Sequence, residues 1–223
     1  MNIEEDEDGD NSFKIVLIGE SGVGKTSIIS QFIDQTFTED IQASTGGAFS
    51  SIALSLSTGK ELKFDIWDTA GQERYRSLTK LFYKDANAAV LVYDITREES
   101  FNQLEIYWVK QIKENSDPNI ILVLAANKSD LLEDEKVDES DARKFAEEAN
   151  AIFCRVSAKN GAGIDDIFFQ IAKRYVGRDD IEVKKKDNKE PINTGNEEEN
   201  SKNDKMKITK GKASAQPNKR KCC

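Results

Sequence analysis

Gly19-Glu20-Ser21-Gly22-Val23-Gly24-Lys25-Thr26 has the spacing G-x-x-x-x-G-K-[ST], and it constrains the fold more than any other stretch. Its glycines let successive backbone N–H groups turn inward around an anion, and a helix opening behind them adds its positive N-terminal end. Lys25 is spaced to reach outer phosphates, and Thr26 to offer a hydroxyl to Mg²⁺. The flanks agree. Phe13-Lys14-Ile15-Val16-Leu17-Ile18 reads as a buried strand, and Ser27-Ile28-Ile29-Ser30-Gln31-Phe32-Ile33 as a helix with an apolar stripe. Strand, glycine-rich turn and helix predict that Glu20, Ser21, Gly22, Val23, Gly24, Lys25, Thr26 and Ser27 hold a nucleoside triphosphate. The motif alone does not choose between ATP and GTP.

The rest of the chain supplies the sheet such a loop needs. Ile52, Leu54 and Leu56 alternate, as do Leu62, Phe64 and Ile66 beyond Ser57-Thr58-Gly59-Lys60, which predicts a β-hairpin. Apolar runs at Ala88 to Tyr93, Ile120 to Ala126 and Ile152 to Val156 read as further strands. Helical spacing marks Phe101, Leu104, Trp108 and Ile112, then Ser140 to Ala149, then Ile164, Ile167, Phe168, Ile171 and Tyr175. Ser140 has Arg143 three residues on, so it opens no capping box. Strands alternating with helices predict an α/β domain: a mostly parallel six-stranded sheet covered by helices on both faces. Ligands bind such sheets beyond the carboxyl ends of the strands. Each suggestive stretch here follows an apolar strand, so all converge on one edge.

Charge and composition divide the 223 residues into an acidic start (1–12), a body (13–176) and a polar tail (177–223). The net charge of −9 conceals an asymmetry. From Arg178 onward there are 13 Lys/Arg against 9 Asp/Glu, leaving the remainder with 19 basic and 32 acidic residues. An acidic body argues against nonspecific nucleic-acid binding, which needs a basic surface. No stretch approaches the ~18–20 consecutive apolar residues of a membrane span, and Glu4 to Asp8 is the opposite of a signal peptide's basic start. There is no histidine, which excludes His-based triads and His-ligated metals. Cys154 lies in a strand-like run and reads as a small core residue, while Cys222 and Cys223 close the chain.

Gly19 to Thr26, Asp68-Thr69-Ala70-Gly71, Asn127-Lys128-Ser129-Asp130 and Ser157-Ala158-Lys159 stand in the order of the nucleotide-binding boxes of Ras-like small GTPases. The run from Trp67 to Leu78, with the terminal Cys-Cys, resembles the Rab family, over about Phe13 to Tyr175. That resemblance implies a P-loop NTPase small G domain binding GTP or GDP with Mg²⁺. Asp130 would accept hydrogen bonds from guanine N1–H and N2–H₂, a pattern adenine lacks, so a buried carboxylate would go unpaired with ATP. Asn127 would bridge the loops, Lys128 would lay its stem over the base, and the Ala158 N–H would meet the guanine carbonyl, flanked by Ser157 and Lys159. Asp68 would hold Mg²⁺ through water together with Thr26. Gly71 would give its N–H to the γ-phosphate, and Gln72 would orient the attacking water, with Lys25 neutralising charge. Turnover would be slow unaided, the more so because Ser21 carries a side chain where Ras proper has Gly.

Switch I departs from the family. Counting from the P-loop puts Ser44 where Rabs carry the metal-binding threonine, and a one-residue slip would put Thr45 there instead. Serine is less constrained at χ1 than threonine, so the closed loop would be held less firmly. The family's interswitch aromatic triad falls on Phe49, Trp67 and Phe82, an apolar patch through which effectors would read the GTP state; plain core packing is the competing account. Gly46-Gly47-Ala48 is similar to the early-endosomal branch. Between Lys202 and Lys221 eight basic residues face one acidic, suiting an anionic leaflet. Cys222 and Cys223 match the Rab ending that takes two geranylgeranyl chains, and two lipids are what stable anchoring needs. The implied partners are effectors, an exchange factor, a GTPase-activating protein, a prenylation escort and a dissociation inhibitor. The implied setting is the cytosolic face of an intracellular, endosomal membrane, cycling with the cytosol as a monomer. Two other readings stand beside this one: a nucleotide-holding effector-binding module with little turnover, and an ATP-using P-loop enzyme.

Overall fold

Ala88–Asp94 is apolar up to its closing aspartate and buried along its whole length, as a strand covered on both faces must be. In the computed structural model, which describes residues 12–39, 47–69 and 82–186, this strand (β4) lies inside the sheet, paired along both edges. The other strands are β1 (Ser12–Ile18), β2 (Ala48–Leu56), β3 (Glu61–Asp68), β5 (Ile121–Asn127), β6 (Ala151–Arg155) and β7 (Val183–Lys185). Their order is β6-β5-β4-β1-β3-β2-β7, with β1 parallel to β3 and β4, β5 parallel to β4 and β6, and β2 antiparallel to both neighbours. From β1 the chain builds outward to β2 and β3 on one side and then crosses to β4, β5 and β6 on the other. The carboxyl end of β1 is thus the topological switch point where such sheets bind ligands.

Side-chain alternation along β1 sets the two layers. Phe13, Ile15 and Leu17 join the core under α1 (Lys25–Asp34) and α4 (Ile164–Val176), where Phe32 stacks on Phe168 at 3.7 Å. Val16 and Ile18 join the core under α2 and α3. Here α2 is three helical pieces without a break, Glu98–Gln103, the wider π-type turn Leu104–Trp108 and Val109–Asn115. Its stripe of Phe101, Leu104, Trp108 and Ile112 is buried, as the spacing predicts. Helix α3 (Glu139–Ala149) is capped by Asp138, whose carboxylate accepts from Ser140 N at 2.7 Å, so the cap lies two residues before the serine. In α4, Tyr175 is half-exposed, its ring edge resting on Phe13. Cys154 is a core residue, and burial pushes its thiol up to about 12.

The expected hairpin is present and pairs Leu54 with Leu62 and Ile52 with Phe64. Among the described residues the sheet has seven strands, not six. The extra one, β7, lies within residues 177–186, which composition assigns to the polar tail. Ile181 and Val183 are buried in the core, and Lys185 reaches Asp165 at 2.6 Å with its ammonium over Phe32. Two apolar residues at alternate positions and a cation–π contact suffice to pin this short strand against β2.

Candidate nucleotide site

β1 delivers the chain into the glycine-rich loop. A Cβ at Gly19 would run into the Val92 carbonyl, and one at Gly24, whose φ is 97°, into Asn127 Nδ2. Both spaces are filled by protein, so the spacing of these glycines is a packing requirement as well as a turn requirement. Lys25 opens α1 and turns back beneath the loop, its ammonium donating to Gly19 O at 2.9 Å and Glu20 O at 3.0 Å. It is 6% exposed. Burial, opposed by the nearby Asp68 and Glu20 carboxylates, brings its pKa down to about 8, and the Arg97 charge pushes the same way. A cation held in this manner gains most from a polyanion laid over it.

Thr26, in the first turn of α1, donates its hydroxyl to Asp68 Oδ2 at 2.6 Å, and Asp68 is buried at the carboxyl end of β3. The next residue, Thr69, donates to Leu17 O at 2.6 Å and so fastens the end of β3 to β1. A hydroxyl and a carboxylate side by side make a hard oxygen donor pair of the kind Mg²⁺ takes, so these residues fit that metal. The loop fits a phosphate chain for a related reason: the buried Lys25 ammonium beneath it is held by two backbone carbonyls and the field of nearby carboxylates, a cation suited to an anion. Ser27 is half-buried on the same turn, and Val23 is fully buried.

The base end is assembled from β5 and the loop after β6. Asn127, 1% exposed, donates through Nδ2 to Val23 O at 2.7 Å and accepts from Ala158 N at 3.1 Å. One side chain thereby joins all three loops, the role the family resemblance implies for it. The Ala158 N–H, expected to face a guanine carbonyl, is here directed to Asn127 Oδ1. Lys128 has a φ of 67° and pairs with Asp94 Oδ2 at 2.6 Å, which fixes the direction of its stem. Ser157 donates to Asp130 Oδ1 at 2.5 Å. Asp130 itself is exposed, where a buried carboxylate was expected. It lies past the strand end, on a surface that a base would cover. Lys159 is exposed and lies 3.6 Å from Glu39.

Of the aromatic triad, Phe49 is 54% exposed and packs edge-on against Trp67 at 5.2 Å, and Trp67 lies 5.8 Å from Phe82. Trp67 and Phe82 also pack against the core, as the packing account of these residues expects. Ser44, Thr45, Gly71, Gln72, Cys222 and Cys223 lie outside the described residues.

Two residues of the site are not singled out by the sequence. Asp94, at the end of β4, accepts from Thr96 N at 2.9 Å and Thr96 Oγ1 at 2.7 Å as well as from Lys128. Burial opposes its ionisation, but the bonds from Lys128 and Thr96 outweigh that and hold its carboxyl below the usual range. Arg97 reaches Ser21 O at 2.9 Å. An aspartate closing an otherwise apolar strand was the available signal for the first; nothing local marks the second.

Comparison with known proteins agrees with this geometry. The Ras family model matches residues 14–176. Rab-22A from Homo sapiens is 41% identical over 167 residues, covering 74% of this chain and 84% of the relative. Rab5 from Nicotiana tabacum is 43% identical, and RABF2a from Arabidopsis thaliana 42%, each over 161 residues, covering 72% of this chain and 80% of the relative. The chain therefore belongs to the Ras family and, within it, to the Rab small GTPases, which bind guanine nucleotides and hydrolyse GTP.

Proposed function

We propose that this GTPase is a switch in endosomal membrane traffic, with guanine read by Asp130 and held by Asn127, Lys128, Ser157, Ala158 and Lys159. The phosphates lie over residues 20–27. The observation that carries the reading is Asn127, whose amide joins Val23 of the phosphate loop to Ala158 of the base loop at 2.7 and 3.1 Å. The base end and the phosphate end of the site are thereby held by one side chain. Thr26, Ser44 and Asp68 are the residues to hold Mg²⁺, which supplies charge neutralisation for phosphoryl transfer. Lys25, beneath the loop, is the residue to neutralise the outer phosphates, Gln72 orients water, and Gly71 gives its N–H to the γ-phosphate, so that its loop reports hydrolysis.

Phe49, Trp67 and Phe82 form the surface effectors read, and Phe49 is the member already exposed. An exchange factor and a GTPase-activating protein set the cycle. Prenylation of Cys222 and Cys223, handled by an escort and a dissociation inhibitor, tethers the protein to the cytosolic face of an endosomal membrane. Similarity to Rab5 and Rab-22A supports that compartment, and no helix among the described residues is long and apolar enough to cross a membrane. Single-turnover GTP hydrolysis, with and without a matched activating protein, tests the switch. Slow cleavage accelerated by the activator is expected. Cleavage in neither condition would favour a nucleotide-holding module.

A further inference from the structure

Arg97, just beyond β4, is tied at two points. Its Nη2 donates to Ser21 O at 2.9 Å, and its Nε stands 3.8 Å from Asp94 Oδ2, the oxygen that also pairs with Lys128. The Ser21 carbonyl shares one planar trans peptide with the Gly22 N–H, so the two point in opposite directions. Holding the carbonyl on Arg97 therefore aims that N–H away from the guanidinium. The constraint matters because Gly22, at φ 77°, has the freedom to leave this conformation at little steric cost. Arg97 Nη1 also lies 4.0 Å from where a Gly22 Cβ would be, so the guanidinium covers the outer side of that residue.

We propose that Arg97 is a positioning residue for nucleotide retention. It locks the Ser21–Gly22 peptide with the Gly22 N–H turned into the phosphate hollow and, through Asp94, ties that peptide to the Lys128 loop. The ligand group it serves is the β-phosphate of a guanine nucleotide, so the inference rests on the GTPase site described above. Arg97 is not a catalytic residue here: its donor is used on the side of the peptide opposite the N–H. Its charge also reaches the hollow, where its field acts on the Lys25 ammonium.

The test uses the full-length protein with Mg²⁺, following release of fluorescent GDP and its displacement by GDP or GMP. Arg97→Ala is expected to speed GDP release about 3- to 10-fold, the effect of losing one partly exposed charge-assisted hydrogen bond. The affinity advantage of GDP over GMP should fall by a similar factor, because GMP has no β-phosphate to feel the misaimed N–H. Arg97→Lys, which keeps the charge and one donor, should recover most of the loss, while Arg97→Gln should not. Comparing these two carries the same test if the alanine variant folds poorly. Unchanged release in Arg97→Ala, or an equal loss for GDP and GMP, overturns the proposal; the second result would mean that Arg97 acts only through the base loop. Failure of the underlying reading would look different, because the wild-type protein would then bind GDP no better than ADP.

Discussion

Replacing Asn127 with Ala removes a side chain that spans both ends of the site, and its cost can be worked from the geometry. Two hydrogen bonds disappear, 2.7 Å to Val23 O and 3.1 Å from Ala158 N, at a residue 1% exposed. Each strands a buried backbone group, at about 1–3 kcal/mol apiece. Partial access of water to the opened site lowers the sum, so about 2–4 kcal/mol is expected. For a domain of this size that is a fall in melting temperature of roughly 4–16 °C. Nucleotide release should accelerate as well, because the phosphate loop and the base loop would no longer move together. Thermal melting read beside GDP release is the assay. Asn127→Asp is the informative partner variant: it keeps an acceptor for Ala158 N–H but sets a carboxylate against the Val23 carbonyl, and should be at least as damaging. A melting shift below about 2 °C with unchanged release would refute the reasoning, since ~2 kcal/mol corresponds to at least 4 °C.

Gly24→Ala should behave like a milder version of the same lesion, because its Cβ would displace Asn127 Nδ2 and its φ of 97° strains any side chain. About 1–3 kcal/mol of stability and a clear loss of GDP affinity are expected, read by melting and competition. Asp94 gives a pH dependence: a carboxyl held below its unfolded value of 3.8 stabilises the fold above that pH, and the contribution is lost as pH falls through the lowered value. Melting measured down the pH scale should therefore steepen below about pH 4 in the wild-type protein and be flatter there in Asp94→Asn. Ile181→Ala should cost about 2 kcal/mol by opening the core beneath β7, while GDP release, governed by residues at the far ends of the strands, stays unchanged.

Much of the fold was legible because its central strands are nearly pure apolar runs and its helices carry clean stripes, as at Phe101, Leu104, Trp108 and Ile112. β7 was not, because three residues reading Val-Lys-Lys inside a charged stretch give no periodicity. Its placement depends on tertiary contacts to Phe32 and Asp165 that no local pattern encodes. The helix cap at Asp138 was missed for a related reason, the nearest serine being the more conspicuous residue. At the site, the family resemblance implies the bridging role of Asn127, and its amide does contact Val23 O and Ala158 N. The Ser21–Arg97–Asp94–Lys128 chain was hidden, since it joins residues 76 and 34 positions apart through a backbone carbonyl and a carboxylate. The exposure of Asp130 is not legible in the sequence, because nothing in Asn-Lys-Ser-Asp says how far its neighbours cover it.

That open edge is where the account is most directly tested. Asp130, oriented by Ser157 at 2.5 Å, offers acceptors to a base with two donors. Asp130→Asn replaces one acceptor with a donor, which suits the carbonyl that xanthine carries where guanine has its amino group. Competition among GTP, XTP and ATP should find the wild-type protein preferring GTP and the variant shifted toward XTP by at least ~10²-fold in relative affinity. ATP competing equally with GTP in the wild type, or a GTP-to-XTP preference untouched by Asp130→Asn, would contradict it.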